Sequence, residues 1–337
     1  MMNFYKILFI SILFSSTMIS ISALSWFTAW VGLEMNLLAI IPLMKTSLNK
    51  FSAEASIKYF IIQAMASSSL LFTVILHSSI SFLNFSILTL PSLMLDLTLI
   101  LKMGASPLHF WLPEVVSGLN WSLVFTILTW QKIAPMILLS YCLTTPPFMA
   151  FFIILSSLSS GISGLNQVCL RKIMAFSSIN HMSWMLATLL ESLNLWLFYF
   201  LIYTAMNMNI TLMFHKFSLF YINQLNKLTP LNKMLKFFFM LNFLSLGGLP
   251  PFIGFFPKWL TINFLINSSF SVLSLILVTL TLLTLFFYTR LTLSIFTLNS
   301  SESLIKLQTK ILSSWQYSFG FLILLSLPLC FFMPSII

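Results

Sequence analysis

Charge is what this 337-residue chain has least of: only 7% of its residues carry one, against roughly 25% in soluble domains. So few ionic side chains cannot solvate the surface of a chain this long, which excludes a soluble globular enzyme. Acidic residues are the scarcer sign, six Asp plus Glu against sixteen Lys plus Arg. The net charge of +10 would suit nucleic acid if the basic residues were clustered. They are scattered between apolar segments, so they read as topology signals and no nucleic acid partner is expected. Cysteine is also rare: Cys142, Cys169 and Cys330 lie far apart and form no CxxC, which speaks against a structural zinc site or a four-thiolate cluster within the chain. There is no P-loop, no GxGxxG and no metalloprotease signature, and no span holds two histidines placed to ligate a haem. No metal and no cofactor are therefore expected.

Apolar residues are what the chain has in abundance, 59% of the total, with a mean hydropathy of +1.02. A transmembrane barrel would alternate apolar and polar residues with period two, and runs such as Ile7 to Leu13 and Leu273 to Phe287 show no such alternation. The expected fold class is an all-α polytopic membrane protein. At about 20 residues per span and about 10 per loop, the length allows roughly eleven spans. The start, MMNFYKILFISILFSS, has a lone Lys6 and no small-residue cleavage site, so it reads as a retained first span. Thirty-six Phe and 19 Met beside nine Gly point to AT-rich coding of an organellar genome.

Apolar runs and breakers place spans near residues 3–23, 26–44, 57–80, 87–116, 120–141, 148–169, 172–190, 194–215, 237–267, 270–296 and 314–335. The loops after the second, sixth, eighth and tenth spans hold Lys45, Lys50 and Lys58, Arg171 and Lys172, Lys216, Lys227, Lys233 and Lys236, then Lys306 and Lys310. Loops after odd spans hold no Lys or Arg. With Lys6, twelve of the sixteen basic residues fall on the amino-terminal side, which the positive-inside rule makes the cytoplasmic or matrix side; the carboxyl terminus falls opposite. One loop departs: after the fourth span there is only Glu114.

Two segments are too long for one straight helix. Residues 87–116 and 237–267 would each extend about 45 Å across a core of about 30 Å. Both carry the same breaker spacing, Gly-x-x-Pro-x5-Pro: Gly104, Pro107 and Pro113 in one, Gly248, Pro251 and Pro257 in the other. Proline removes a helix donor and clashes with the preceding turn, so each segment should be two half-helices, with residues 103–107 and 248–252 non-helical. Irregular backbone survives at bilayer depth only when buried in protein or lining a wet cavity. The broken segments are the fourth and the ninth, five spans apart. Because five is odd, spans one to five and six to ten would be two inverted repeats, a design common in transporters. The expected divisions are 1–145, 146–297 and a terminal loop and span, 298–337.

Four ionisable residues fall at mid-span: Glu34, Lys102, Lys132 and Lys258. Each costs at least about 2.5 kcal/mol to place in lipid, so each marks either a functional site or a static buried pair. A lysine that gains and loses its proton near neutral pH is what a proton relay needs. His181 lies near mid-depth and is a fifth candidate. Arg290 reads as a snorkelling residue at a span end, and Asp96, about 240° around the helix from Lys102, is left without a role.

The stretches AWVGLEMNLLAIIPL, EASIKYFIIQAMAS, LKMGASPLHFWLPEV, GLNQVCLRKIMAFSSINHMSWM and LSLGGLPPFIGFFPKW together resemble the NADH dehydrogenase subunit 2 family of mitochondrial respiratory complex I, from about residue 26 to 262. The resemblance implies an antiporter-like membrane-arm subunit of two inverted five-helix repeats, each with a discontinuous helix, in the mitochondrial inner membrane. It assigns a proton relay to Glu34, Lys102, Lys132 and Lys258, with His181 matching a histidine whose role is less settled. It also implies that the other membrane-arm subunits and the lipid bilayer are the partners, without direct NADH binding, and that NADH oxidation by ubiquinone occurs elsewhere in the complex. Asp96 and Cys169 depart from the family pattern. Three functions compete: a proton-pumping subunit, a stand-alone cation/proton antiporter, and a structural spacer with inert charges. The first two need the same lysines and broken helices, and the resemblance favours the first.

Overall fold

Backbone polar groups at bilayer depth find no water, so each span must satisfy its own N–H and C=O groups. The computed structural model describes residues 4–45, 49–80, 89–143, 145–228 and 233–297, and among these the regular structure is helical, with one isolated bridge between Cys169 and Tyr221. The expected eleventh span, 314–335, with Lys306, Lys310 and Cys330, lies outside the described residues.

The chain separates into two compact units, divided between Phe152 and Ile153. The first holds α1 (Phe4–Ile21), α2 (Trp26–Met44), α3 (Lys50–Ile80), α4 (Thr89–Met103), α5 (Trp111–Gly118), α6 (Trp121–Leu128) and α7 (Trp130–Cys142). From α8 (Pro146–Leu165) onward come α9 (Leu170–Leu189), α10 (Leu193–Phe217), a 3-10 helix Ile222–Leu228, α11 (Lys233–Gly247), α12 (Phe255–Asn267) and α13 (Ser271–Thr297). Among the described residues seven stretches are long and apolar enough to cross a membrane, with α6 and α7 counted as one. The 20-residue α9 and the pairs α4–α5 and α11–α12 fill the other expected positions. In each set the fourth span is divided into two half-helices by an irregular stretch of several residues.

Serine and threonine are tolerated throughout because their hydroxyls bond back to carbonyls one turn earlier, as Ser16 does to Leu13, Ser156 to Ile153 and Ser160 to Ser157. At 31 residues, α3 would extend about 46 Å. It begins at Lys50 rather than 57 and takes Lys50 and Lys58 out of the expected loop into its opening turns. There Lys58 Nζ donates to Glu114 Oε2 of α5 at 2.7 Å. The loop that departed from the charge pattern thus has a lysine beside it, supplied by a neighbouring helix.

The breaks run from Gly104 to Phe110 and from Gly248 to Gly254, longer than expected, and Met103 remains helical. Glycine, not proline, ends each half-helix. Gly104 and Gly248 have φ of +74° and +77°, the left-handed conformation that a residue with a Cβ adopts only with strain. Gly104 N–H donates to Leu101 O (3.1 Å) and Ala105 N–H to Ile100 O (3.2 Å); Gly248 N–H donates to Ser245 O (3.0 Å) and Leu249 N–H to Leu244 O (3.4 Å). This is the paired closure of a Schellman cap. A third interruption was not expected: the fifth span, read as continuous over 120–141, is divided at Thr129 (φ −119°, ψ −72°). Pro135, inside α7, has no N–H to offer the Gln131 carbonyl, so this part of the span is short of its own ladder bonds.

Candidate functional site

In the first unit the charged candidates come from three helices. Lys102 is in the last turn of α4 and 6% exposed; Lys132 is in the opening turn of α7 and 1% exposed. Half-buried Glu34 on α2 is near enough for its charge to act on Lys102. The two do not form a contact ion pair, since among the described residues the ion pair within 4 Å is Lys58–Glu114. The α4 carboxyl end, where the helix dipole places its partial negative charge, holds the Lys102 cation.

Amides that sequence reading passed over build the rest of this site. Gln63 Nε2 donates to the Lys102 carbonyl at 3.2 Å, and the Trp111 indole N–H donates to the Leu101 carbonyl at 3.2 Å. Gln131 Nε2 donates to Asn36 Oδ1 at 2.9 Å, and the Tyr59 hydroxyl donates to Gln131 Oε1 at 3.4 Å. Asn36, Tyr59, Gln63, Lys102 and Gln131 line a small cavity of about 20 Å³, closed by leucines of α2 and by Pro135. The signal was available: Asn36 stands two residues after Glu34, Gln131 directly before Lys132, and Gln63 near the middle of α3. A neutral amide raises no alarm in hydropathy, yet at this depth it needs partners as a charge does.

The second unit is built differently. Lys258, in the first turn of α12 and 6% exposed, folds back across the break, and its Nζ donates to the Gly247 carbonyl at the end of α11 at 2.9 Å. A Cβ on Gly248 would stand within 3.1 Å of Lys258 Cδ, Cε and Nζ. The ammonium also lies 5.8 Å from the Trp184 ring centroid. Trp184 and His181 are three residues apart and so share a face of α9, which is buried without a gap from Ile173 to Leu189. His181 Nδ1 is 2.9 Å from the Tyr199 hydroxyl, and its ring lies 4.9 Å from that of Tyr203.

Other readings are revised by their contacts. The Arg290 guanidinium donates to the carbonyls of Leu165 (2.7 Å) and Gln167 (2.8 Å), capping the end of α8. Asp96 is fully buried, and neither carboxyl oxygen has a hydrogen-bond partner among the described residues; it lies close enough to Cys142 for the two to interact.

With the broken helices and buried lysines in place, likeness to known proteins decides the family. The family model described as NADH:quinone oxidoreductase/Mrp antiporter, transmembrane, matches residues 23–284. NADH-ubiquinone oxidoreductase chain 2 of Anopheles gambiae is 47% identical over 298 residues, 88% of this chain and 87% of its own length. The chain belongs to the NADH-ubiquinone oxidoreductase chain 2 family. The Aedes aegypti member is 48% identical over 298 residues, again 88% and 87% of the two chains. The fold is that of a chain in respiratory complex I from Thermus thermophilus with bound aureothin, with a TM-score of 0.86 at 22% identity, covering 99% of this chain and 79% of that one. Glu34, Lys102, Lys132, His181 and Lys258 of this chain 2 member all fall inside the family-matched region.

Proposed function

We propose that this chain moves protons across the mitochondrial inner membrane as a membrane-arm subunit of complex I, driven by NADH oxidation and ubiquinone reduction carried out by other subunits. In this reading the chain holds no redox centre, binds no NADH directly, and has membrane-arm subunits and lipid as its partners. Glu34, Lys102, Lys132, His181 and Lys258 form the relay, distributed over two inverted repeats at 1–145 and 146–297, with 298–337 as a terminal loop and span. The amino terminus faces the matrix and the carboxyl terminus the intermembrane space, as the distribution of Lys and Arg among the loops requires.

One observation carries the reading. Lys102 is buried where α4 breaks, beside a polar cavity and within the field of Glu34. A lysine at bilayer depth is costly unless its charge is used or compensated, and two unit charges about 6 Å apart interact by roughly 3 kcal/mol at an effective dielectric near 20. Movement of Glu34 or of its counter-charge therefore changes how firmly Lys102 holds its proton, which then passes toward Lys132.

The test is substitution in the intact complex. Lys102→Met should leave assembly largely intact and lower proton pumping and coupled NADH oxidation by about tenfold or more. Lys102→Arg should fail likewise, because arginine does not release its proton. A fully assembled Lys102→Met complex pumping at the normal rate would overturn the reading. Failure of the chain to co-purify with NADH dehydrogenase activity would favour a stand-alone antiporter.

A further inference from the structure

The first-unit cavity has a size and lining that the lysine relay does not account for. About 20 Å³ is above the roughly 10–15 Å³ that one water needs, so the cavity has room for a water. Its polar lining comes from α2, α3, α4 and α7 through Asn36, Tyr59, Gln63, Lys102 and Gln131, more than the two to four partners that hold a buried water. An apolar hole of this volume would stay dry; this one is lined to bind.

Within that lining Gln131 is the residue with both ends fixed. Its Nε2 donates to Asn36 Oδ1 and its Oε1 accepts from the Tyr59 hydroxyl. A glutamine amide has two N–H groups and an oxygen with two lone pairs, so one donor and one acceptor site remain to meet a water. Gln131 also sits between the break at Thr129 and Pro135, where the helix ladder is weakest, and directly precedes Lys132. An amide does not give up a proton at neutral pH, so it can act only by orienting something that does.

We propose that Gln131, clamped by Asn36 and Tyr59, is a positioning residue that orients a single water against Lys102 for proton transfer toward Lys132. The inference rests on the proton-translocating reading above, and its failure is separable from failure of that reading.

The experiment uses intact complex I in sealed membrane vesicles, with NADH-driven proton uptake measured in H2O and D2O. Gln131→Leu keeps the volume and removes the amide. We expect coupled turnover to fall about fivefold, the equivalent of one hydrogen bond of about 1 kcal/mol, with the KM for NADH unchanged and a larger solvent isotope effect on kcat. A purely structural role would lower the amount of assembled complex without moving the isotope effect per assembled complex. Asn36→Leu should give a smaller loss of the same kind, and the double variant should be no worse than Gln131→Leu alone, because both act through one water. Normal turnover and a normal isotope effect in assembled Gln131→Leu complex would overturn the inference, while a parallel Lys102→Met complex with normal pumping would overturn the functional reading itself. If Gln131→Leu does not assemble, the wild-type complex at a resolution that shows waters decides: one ordered water bonded to Gln131 and Lys102 supports the inference, and a dry or collapsed site ends it.

Discussion

Both units end the first half of their fourth span on the same device, a glycine at positive φ closing a Schellman cap, yet they treat the last carbonyls before it differently. In the first unit neutral donors do the work: Trp111 bonds the Leu101 carbonyl and Gln63 the Lys102 carbonyl. Lys102 lines the cavity, and no protein hydrogen bond holds its ammonium among the described residues. In the second unit the lysine is itself the donor, with Lys258 closing on Gly247 O. Each cation lies at the carboxyl end of a half-helix, where the dipole favours positive charge. The difference lies in freedom: Lys102 can turn toward a water or a neighbouring group without losing a protein bond, and Lys258 must release a carbonyl to move. A shared fold therefore carries one loosely held lysine and one anchored lysine.

The most damaging way to break this comparison is to prevent the second break from closing. A Cβ at Gly254 would fall 1.7 Å from the Ser245 carbonyl oxygen, so α11 and α12 could not keep their approach. Gly254→Ala should reduce the assembled complex to a small fraction of normal on native gels, whereas normal assembly would show that the two half-helices separate without penalty. The next largest effect sets the two lysines against each other. Lys258→Met removes the donor to Gly247 and leaves a buried carbonyl unpaired, a cost of about 1–3 kcal/mol, so both assembly and pumping should fall. Lys102→Met breaks no bond of that kind and should lower pumping with assembly near normal. Equal assembly of the two variants, measured by thermal stability of the purified complex, would erase the distinction between anchored and free.

Much of this was legible in the sequence because hydropathy and breaker spacing report on single segments. The helices at the ten expected positions among the described residues, both Gly-Pro breaks, and the burial of Lys102, Lys132 and Lys258 follow from the cost of moving polar groups into lipid. What stayed hidden depends on partners distant in sequence. Arg290 caps α8 from α13, across more than a hundred residues, and nothing in its neighbours reveals that. Gln131 and Asn36 meet from two helices, and neither stands out in an apolar run. The division at Thr129 was missed for a different reason: Pro135 lies in a segment short enough for one span, so length never demanded a break there. Glycine rather than proline ends the half-helices because closing the cap requires a left-handed residue, whereas the prolines lie within the break or just inside the helix that follows.

The smallest expected effect sharpens the comparison at one register position. Aligning Gly104, Pro107 and Pro113 with Gly248, Pro251 and Pro257 sets Glu114 opposite Lys258. The same place after the second proline thus holds an acid in one unit and a base in the other. Lys258 is buried and bonded across the break. Glu114 pairs with Lys58, and both side chains are about half exposed, 55% and 51%. An exposed pair gains little, because water and salt screen it and two flexible side chains must be held in place. Glu114→Gln should therefore leave assembly, thermal stability and pumping at normal levels, with no added sensitivity to ionic strength. A large loss of assembly in Glu114→Gln would mean that the pair is covered by another subunit in the complex, placing a protein interface at this end of α3 and α5.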